Sequence, residues 1–116
     1  LGPAEWENWE EWTAKAHQDY LDNAHPVEVP GPVNPSAIMA WLAQKLPRDT
    51  IVTNGAGNFS SWAHRFYPYG GFRTQLGPTN GAMGYGVPAA VAAKAVHPDR
   101  TVIAMTGDGD FMMNGQ

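Results

Sequence analysis

The sequence predicts an α/β fold, a parallel sheet with helices on both faces. Three observations carry this. Short apolar strands alternate with helical segments along the second half of the chain. Those strands, Thr50-Ile-Val-Thr53 and Val102 to Met105, are apolar without alternation, as strands covered on both faces are. Two of them run directly into glycine turns, at Gly55 and at Gly107. In parallel sheets, ligands sit at the carboxyl ends of strands, where both turns belong.

Composition bounds the function. The 116 residues are 43% hydrophobic and 16% charged, enough for one modest globular core. A net charge of −4, with no basic patch, argues against a nucleic-acid surface. The absence of cysteine removes disulfides, thiolate nucleophiles and zinc–thiolate sites. No apolar run approaches the roughly 20 residues of a membrane span. The acidic, Trp-rich start lacks the basic region of a signal peptide, so a cytoplasmic location is expected. The first residue is not Met, which suggests a piece of something longer. Eleven of the 13 glycines lie from Gly55 onward, and seven of the 11 acids lie in residues 1–28. Two regions are therefore expected: an acidic Trp-rich helix and Pro-rich linker over 1–33, from a preceding domain, and an α/β body over 34–116.

In chain order, a helix is expected from Glu5 to about Asn23. Trp6, Trp9, Trp12, Ala16 and Tyr20 recur at steps of three and four, forming one stripe. Glu5, Glu7, Glu10 and Glu11 crowd its first turns, where the helix dipole favours negative charge. Packing of the stripe on a neighbouring domain is the ordinary reading; a ligand platform is the alternative. His17 and His25 have no partner at metal-ligand spacing. Residues 24–33, rich in proline, form an extended linker. Asn34-Pro35 then opens a second helix, with Asn as N-cap and Pro at the first helical position. Ile38, Trp41, Leu42, Lys45 and Leu46 mark its face, and Pro47 ends it.

After the strand at Thr50–Thr53 comes Asn54-Gly55-Ala56-Gly57-Asn58, then helical pattern from Phe59 to Phe66. The turn fails as a dinucleotide fingerprint, because Ser60 stands where a third glycine belongs. Taken on its own, a plain tight turn is the ordinary reading of it. Phe72 to Leu76 alternates loosely, as a strand would. From about Ala82 to Val96 a helix of very small residues is expected. Pro88 must either kink it or mark its true first turn. Gly81, Gly84 and Gly86 would each cost a helix about 1 kcal/mol against alanine, which points to backbone that approaches something closely.

The strand Val102–Met105 ends at Gly107-Asp108-Gly109, and a helix is expected to follow. A strand, a glycine turn and a helix start form an anion-binding geometry, with free N–H groups and partial positive charge. Asp108 adds a hard oxygen ligand suited to a magnesium ion that bridges to phosphate. A hairpin at Asp108-Gly109 is the rival, but Phe111-Met-Met-Asn114 carries no strong strand alternation.

Four stretches in order give a more specific result: Asn54-Gly-Ala-Gly-Asn-Phe-Ser-Ser-Trp62, Gly81-Ala-Met-Gly-Tyr-Gly-Val-Pro-Ala-Ala90, Thr101-Val-Ile-Ala-Met-Thr106 and Gly107-Asp-Gly-Asp-Phe-Met-Met-Asn114. From about Asn34 to Gln116 the chain resembles the diphosphate-binding domain of thiamine-diphosphate enzymes of the acetolactate synthase and pyruvate oxidase group. The resemblance implies thiamine diphosphate and Mg2+ as cofactors, with Asp108 as the metal ligand. It implies that the Gly107 turn and the N–H groups of Gly109, Asp110 and Phe111 meet the phosphates, and that Asn58 reaches the same diphosphate. Gly81 would offer its carbonyl to the aminopyrimidine ring, and Met83 would wedge beneath the folded cofactor. An unbranched thioether suits such a gap.

The implied enzyme decarboxylates a 2-oxo acid such as pyruvate and transfers the remainder to a second carbonyl. Pyruvate oxidation, simple decarboxylation and a non-catalytic cofactor-binding fragment are the alternatives. A homodimer or homotetramer is implied. Substrate identity and use of a flavin (FAD) are not encoded in these residues. The family pattern continues to a downstream Asn pair that supplies another magnesium ligand, and this chain ends at Gln116. The activating glutamate belongs to a preceding domain, so no catalytic residue is expected here. Asp110 stands where many relatives carry a small hydroxyl residue. A second carboxylate beside a diphosphate is repulsive unless it turns away or helps the metal.

Overall fold

The computed structural model describes residues 9–114 and 116. The described residues contain α1 (Glu10–Ala24), α2 (Pro35–Lys45), β1 (Ile51–Asn54), α3 (Ser60–Phe66), β2 (Gln75–Leu76), α4 (Gly86–Val96), β3 (Val102–Met105) and α5 (Asp108–Asn114). The three strands form one parallel sheet in the order β2-β1-β3. Ile51 pairs with Val102 and Asn54 with Met105, so β1 and β3 end level with each other.

Alternation along β1 sorts the helices onto two faces. Val52 packs with Met39 of α2 and with Ala63 and Phe66 of α3, while Tyr67 completes this cluster. Its neighbours Ile51 and Thr53 face the other way. Ile51 shares a small cavity with Ala89, Ala93 and Val96 of α4, and the Thr53 hydroxyl donates to the Gly86 carbonyl at 2.7 Å. Burial of all of β1 follows from this double cover. The expected α/β architecture, with helices on both faces, is therefore present.

The Asn34 N-cap forms as expected. Its side chain accepts from the amides of Ser36 and Ala37, at 3.0 and 3.2 Å, with Pro35 in the first turn. The same side chain donates to the Val27 carbonyl at 2.8 Å, and Val27 N–H donates to Ser36 Oγ at 3.0 Å. The proline-rich stretch is thus tied to the start of α2. The buried face of α2 differs in phase from the expected one. Met39 is buried, with Leu42 and Leu46 packed beside it, whereas Ile38 and Trp41 are exposed. α2 packs against α3, and apolar residues stand on more than one of its faces, so sequence periodicity alone did not fix which stripe faces inward.

Trp9, which precedes α1, is exposed, as are Trp12 and Tyr20 within it, and no residue of α1 is buried. Trp6 and the first two of the four expected glutamates lie outside the described residues. Arg65 of α3 donates to the Asn23 carbonyl at 2.8 Å, which anchors the end of α1. The strand expected from Phe72 shrinks to Gln75–Leu76, and Phe72 is 89% exposed. The helix expected from Ala82 begins at Gly86 instead. Pro88 lies in its first turn, where a missing N–H costs no hydrogen bond. Residues 81–85 form a turn, not helix, with Gly81 and Gly84 at φ +69° and +83°. The close approach expected of this glycine run is met at Gly86, where a Cβ would lie 2.8 Å from the Gly55 nitrogen.

Candidate functional site

The parallel sheet brings three loops to one edge. The turn after β1 (55–59), the loop after β2 (77–85) and the Gly107 turn after β3 all leave the carboxyl ends of adjacent strands. The Gly55 amide donates to the Met105 carbonyl at 3.2 Å, extending the ladder one residue past β1. The Phe59 ring then folds over the third turn, so close that a Cβ on Gly107 would sit 3.1 Å from it.

Helix α5 opens at Asp108. The Phe111 amide is committed to the Gly107 carbonyl at 2.8 Å, the first intrahelical bond. The Gly109 amide donates to the Asp108 carboxylate at 2.8 Å. The amides of Asp108 and Asp110 have no partner among the described residues, as helix geometry leaves them. The backbone donors that α5 leaves unpaired among the described residues are therefore these two, the Gly109 amide being given to the Asp108 side chain. The Asp108 side chain is exposed. The Met83 methyl lies against the same turn, 3.5 Å from where a Gly109 Cβ would be. Gly81 and Asn58 are exposed. Between loop 77–85 and the end of α5 lies an open cavity of about 530 Å³, lined by Asn80, Met83, Tyr85 and Asn114 among others.

Asp110 does not face this space. The residue is 2% exposed, and its carboxylate points back into the protein. One oxygen accepts from the Thr106 hydroxyl at 2.6 Å and the other from the Gly84 amide at 2.5 Å. The carboxyl group rests on Gly55, where any side chain would overlap it. Of the two courses open to a second acid here, Asp110 takes the first and turns away.

A divalent ion fits the residues that remain. Magnesium is commonly held by one or two carboxylates plus phosphate and water oxygens, and Asp108 supplies one exposed carboxylate beside free amide donors. Among the described residues, no cluster of three or more His, Asp or Glu forms an all-protein metal cage. No helix among the described residues is long and apolar enough to cross a membrane.

Sequence reasoning located the glycine turns but not what joins them. Thr106, Gly84 and Asn114 were not singled out as contacts. Asn114 donates from its side chain to the Gly84 carbonyl at 2.8 Å. No local signal joins the acid at Asp110 to the side-chain-free position at Gly55, because the two lie far apart in sequence. His64 Nε2 also lies 3.1 Å from the buried Asn54 side chain, at the foot of the first turn.

Residues 55–116 match the family described as thiamine pyrophosphate enzyme, C-terminal TPP binding domain. Acetolactate synthase isozyme 3 large subunit of Escherichia coli is 30% identical over 96% of this chain and 18% of its own length. An acetolactate synthase of Arthrospira platensis is 38% identical over 78% of this chain and 16% of its own. The chloroplastic acetolactate synthase 3 of Brassica napus is 43% identical over 57% of this chain and 10% of its own. The chain thus spans less than a fifth of the length of these relatives. A match over more than half of the chain, on a parallel sheet whose glycine turns meet at one edge, places it in the family of thiamine pyrophosphate enzymes, within the C-terminal TPP-binding domain.

Proposed function

We propose that the chain is the first part of the cofactor domain of a longer enzyme. That enzyme binds thiamine diphosphate with Mg2+, decarboxylates a 2-oxo acid such as pyruvate, and joins the remainder to a second carbonyl, as an acetolactate synthase does. The observation that carries this is the meeting of two motifs at one sheet edge: the Gly107-Asp108-Gly109 turn and the Met83 loop, whose methyl lies 3.5 Å from where a Cβ on Gly109 would be. The names of the relatives support the carboligating reaction over the others.

In this reading, residues 1–33 lead in from a preceding domain, and the enzyme is a homodimer or homotetramer in the cytoplasm. When bound, the cofactor supplies the carbanion chemistry that amino-acid side chains lack. The residues here bind and orient. Asp108 holds the metal. The α5 amides and the Gly107 turn meet the diphosphate, with Asn58 contributing from the first turn. Met83 supports the cofactor from beneath, and the Gly81 carbonyl meets the aminopyrimidine ring. None of them moves a proton, because the activating acid lies outside this chain.

Product analysis of the full-length protein, supplied with pyruvate, thiamine diphosphate and Mg2+, tests the reaction. Acetolactate is the expected product. Acetaldehyde alone would make it a decarboxylase, and acetate or acetyl phosphate would make it an oxidase.

A further inference from the structure

Asp110 is the buried charged side chain that the cofactor roles leave unused. Both of its oxygens are satisfied within the protein, by Thr106 and Gly84. Asn114, one helical turn further along α5, holds the other side of Gly84 by its carbonyl. Both flanking peptide groups of a single glycine are thus gripped by one face of one helix. That glycine has φ +83°, a conformation glycine adopts without the strain other residues incur, and it adjoins Met83. Its N-terminal neighbours include Gly81, also at positive φ. A loop so rich in glycine has many conformations to lose on binding a ligand.

We propose that Asp110 and Asn114 are positioning residues that latch loop 81–85 to α5 before any cofactor is present. The latch acts through Gly84 on Met83 and Gly81; the Asp110 side chain is turned away from the cavity, while Asn114 borders it and spends its side-chain NH2 on the Gly84 carbonyl. It couples the diphosphate side of the site to the pyrimidine side, so that the ordering cost is met during folding and not during binding. Gly55 is its seat, since only a residue without a side chain leaves room for the carboxylate. The roles of Met83 and Gly81 in this inference rest on the function proposed above; the latch itself rests on contacts within the chain.

The test compares the full-length wild type with Asp110→Ala, Asp110→Asn and Asn114→Ala. The first readout is amide hydrogen exchange of the segment spanning 81–85 without cofactor. The second is calorimetric titration with thiamine diphosphate and Mg2+. The third is pyruvate KM and kcat at saturating cofactor. Asp110→Ala should speed exchange in the segment and weaken cofactor binding by about tenfold each, the scale of one lost buried hydrogen-bond partner. Pyruvate KM at saturation should stay put. Asp110→Asn should restore both, because its carbonyl accepts from Gly84 while its NH2 donates to the Thr106 hydroxyl. Asn114→Ala leaves the carboxylate in place and should speed exchange on its own, which keeps the proposal testable if Asp110→Ala fails to fold. Unchanged exchange in either Ala variant overturns the latch. So does an Asp110→Asn protein that keeps loop protection yet loses cofactor affinity, since the carboxylate would then act through its charge. A wild type that binds no cofactor would defeat the proposed function instead, while the exchange comparison would still decide the latch.

Discussion

Replacing Gly55 with Ala probes the junction between the three loops. The added methyl group would overlap the Asp110 carboxylate, which cannot retreat without leaving Thr106 and Gly84. Each of those bonds joins a donor to a buried carboxylate, worth about 1.5–3 kcal/mol. Loss of both would cost about 3–6 kcal/mol. Gly55 is not in the positive-φ region, so alanine suffers no backbone strain there. Its smaller unfolded-state entropy returns about 0.4–1 kcal/mol. Small backbone shifts relieve part of the overlap, and a net loss on the order of 3 kcal/mol is expected. Urea unfolding of the full-length protein, followed through tryptophan fluorescence, measures it. A second substitution separates the clash from general damage. With Asp110→Ala already present, Gly55→Ala should cost less than about 1 kcal/mol, giving a coupling of about 2 kcal/mol. A Gly55→Ala protein as stable as wild type, or additive effects of the two changes, would refute the packing of Asp110 on Gly55.

Further outcomes follow from other contacts. Asp108→Ala should abolish the Mg2+ dependence of thiamine diphosphate affinity, and unchanged dependence on titration would remove Asp108 from the metal site. Thr53→Val keeps the shape of a buried residue but leaves the Gly86 carbonyl without its donor; a loss of about 1–3 kcal/mol in denaturant unfolding is expected. Asn34→Ala removes the N-cap of α2 and its tie to Val27, and should cost at least about 1 kcal/mol in the same assay. Tyr69 has its phenol pushed up to about 12, first by burial and then by the neighbouring Tyr67 charge. A raised folded-state value stabilises the fold fully below the ordinary value of 10.0 and loses that contribution as pH rises through about 12. Tyr69→Phe should therefore blunt alkaline unfolding between those values, and should remove the last tyrosinate step from an absorbance titration.

Much of this architecture was legible from local chemistry. Apolar strands without alternation announced a sheet covered on both faces, and Asn34-Pro35 announced the start of α2. The Gly107 turn was visible because a strand, a glycine and an acid stand there in succession. What stayed hidden depended on three-dimensional neighbours. Whether α2 would bury Met39 or Ile38 depended on how the helix lies on α3, since both residues are apolar. The stretch 82–85 read as helix because its small residues fit one, yet Gly84 is held in a turn by bonds with residues 26 and 30 positions away. Asp110 looked like a repulsive charge beside a diphosphate because sequence shows the acid and not the seat at Gly55 that receives it. The role of Gly55 itself was equally invisible, as a glycine in a turn has a local explanation already.

The central claim is that this sheet edge binds thiamine diphosphate through a metal held by Asp108. Calorimetric titration of the full-length protein with thiamine diphosphate, with Mg2+ and with the metal removed by chelation, tests it most directly. Saturable binding at one site per chain, lost on chelation and restored by added Mg2+, is the expected result. Absence of binding in the presence of Mg2+, or equal binding with and without it, would contradict the claim.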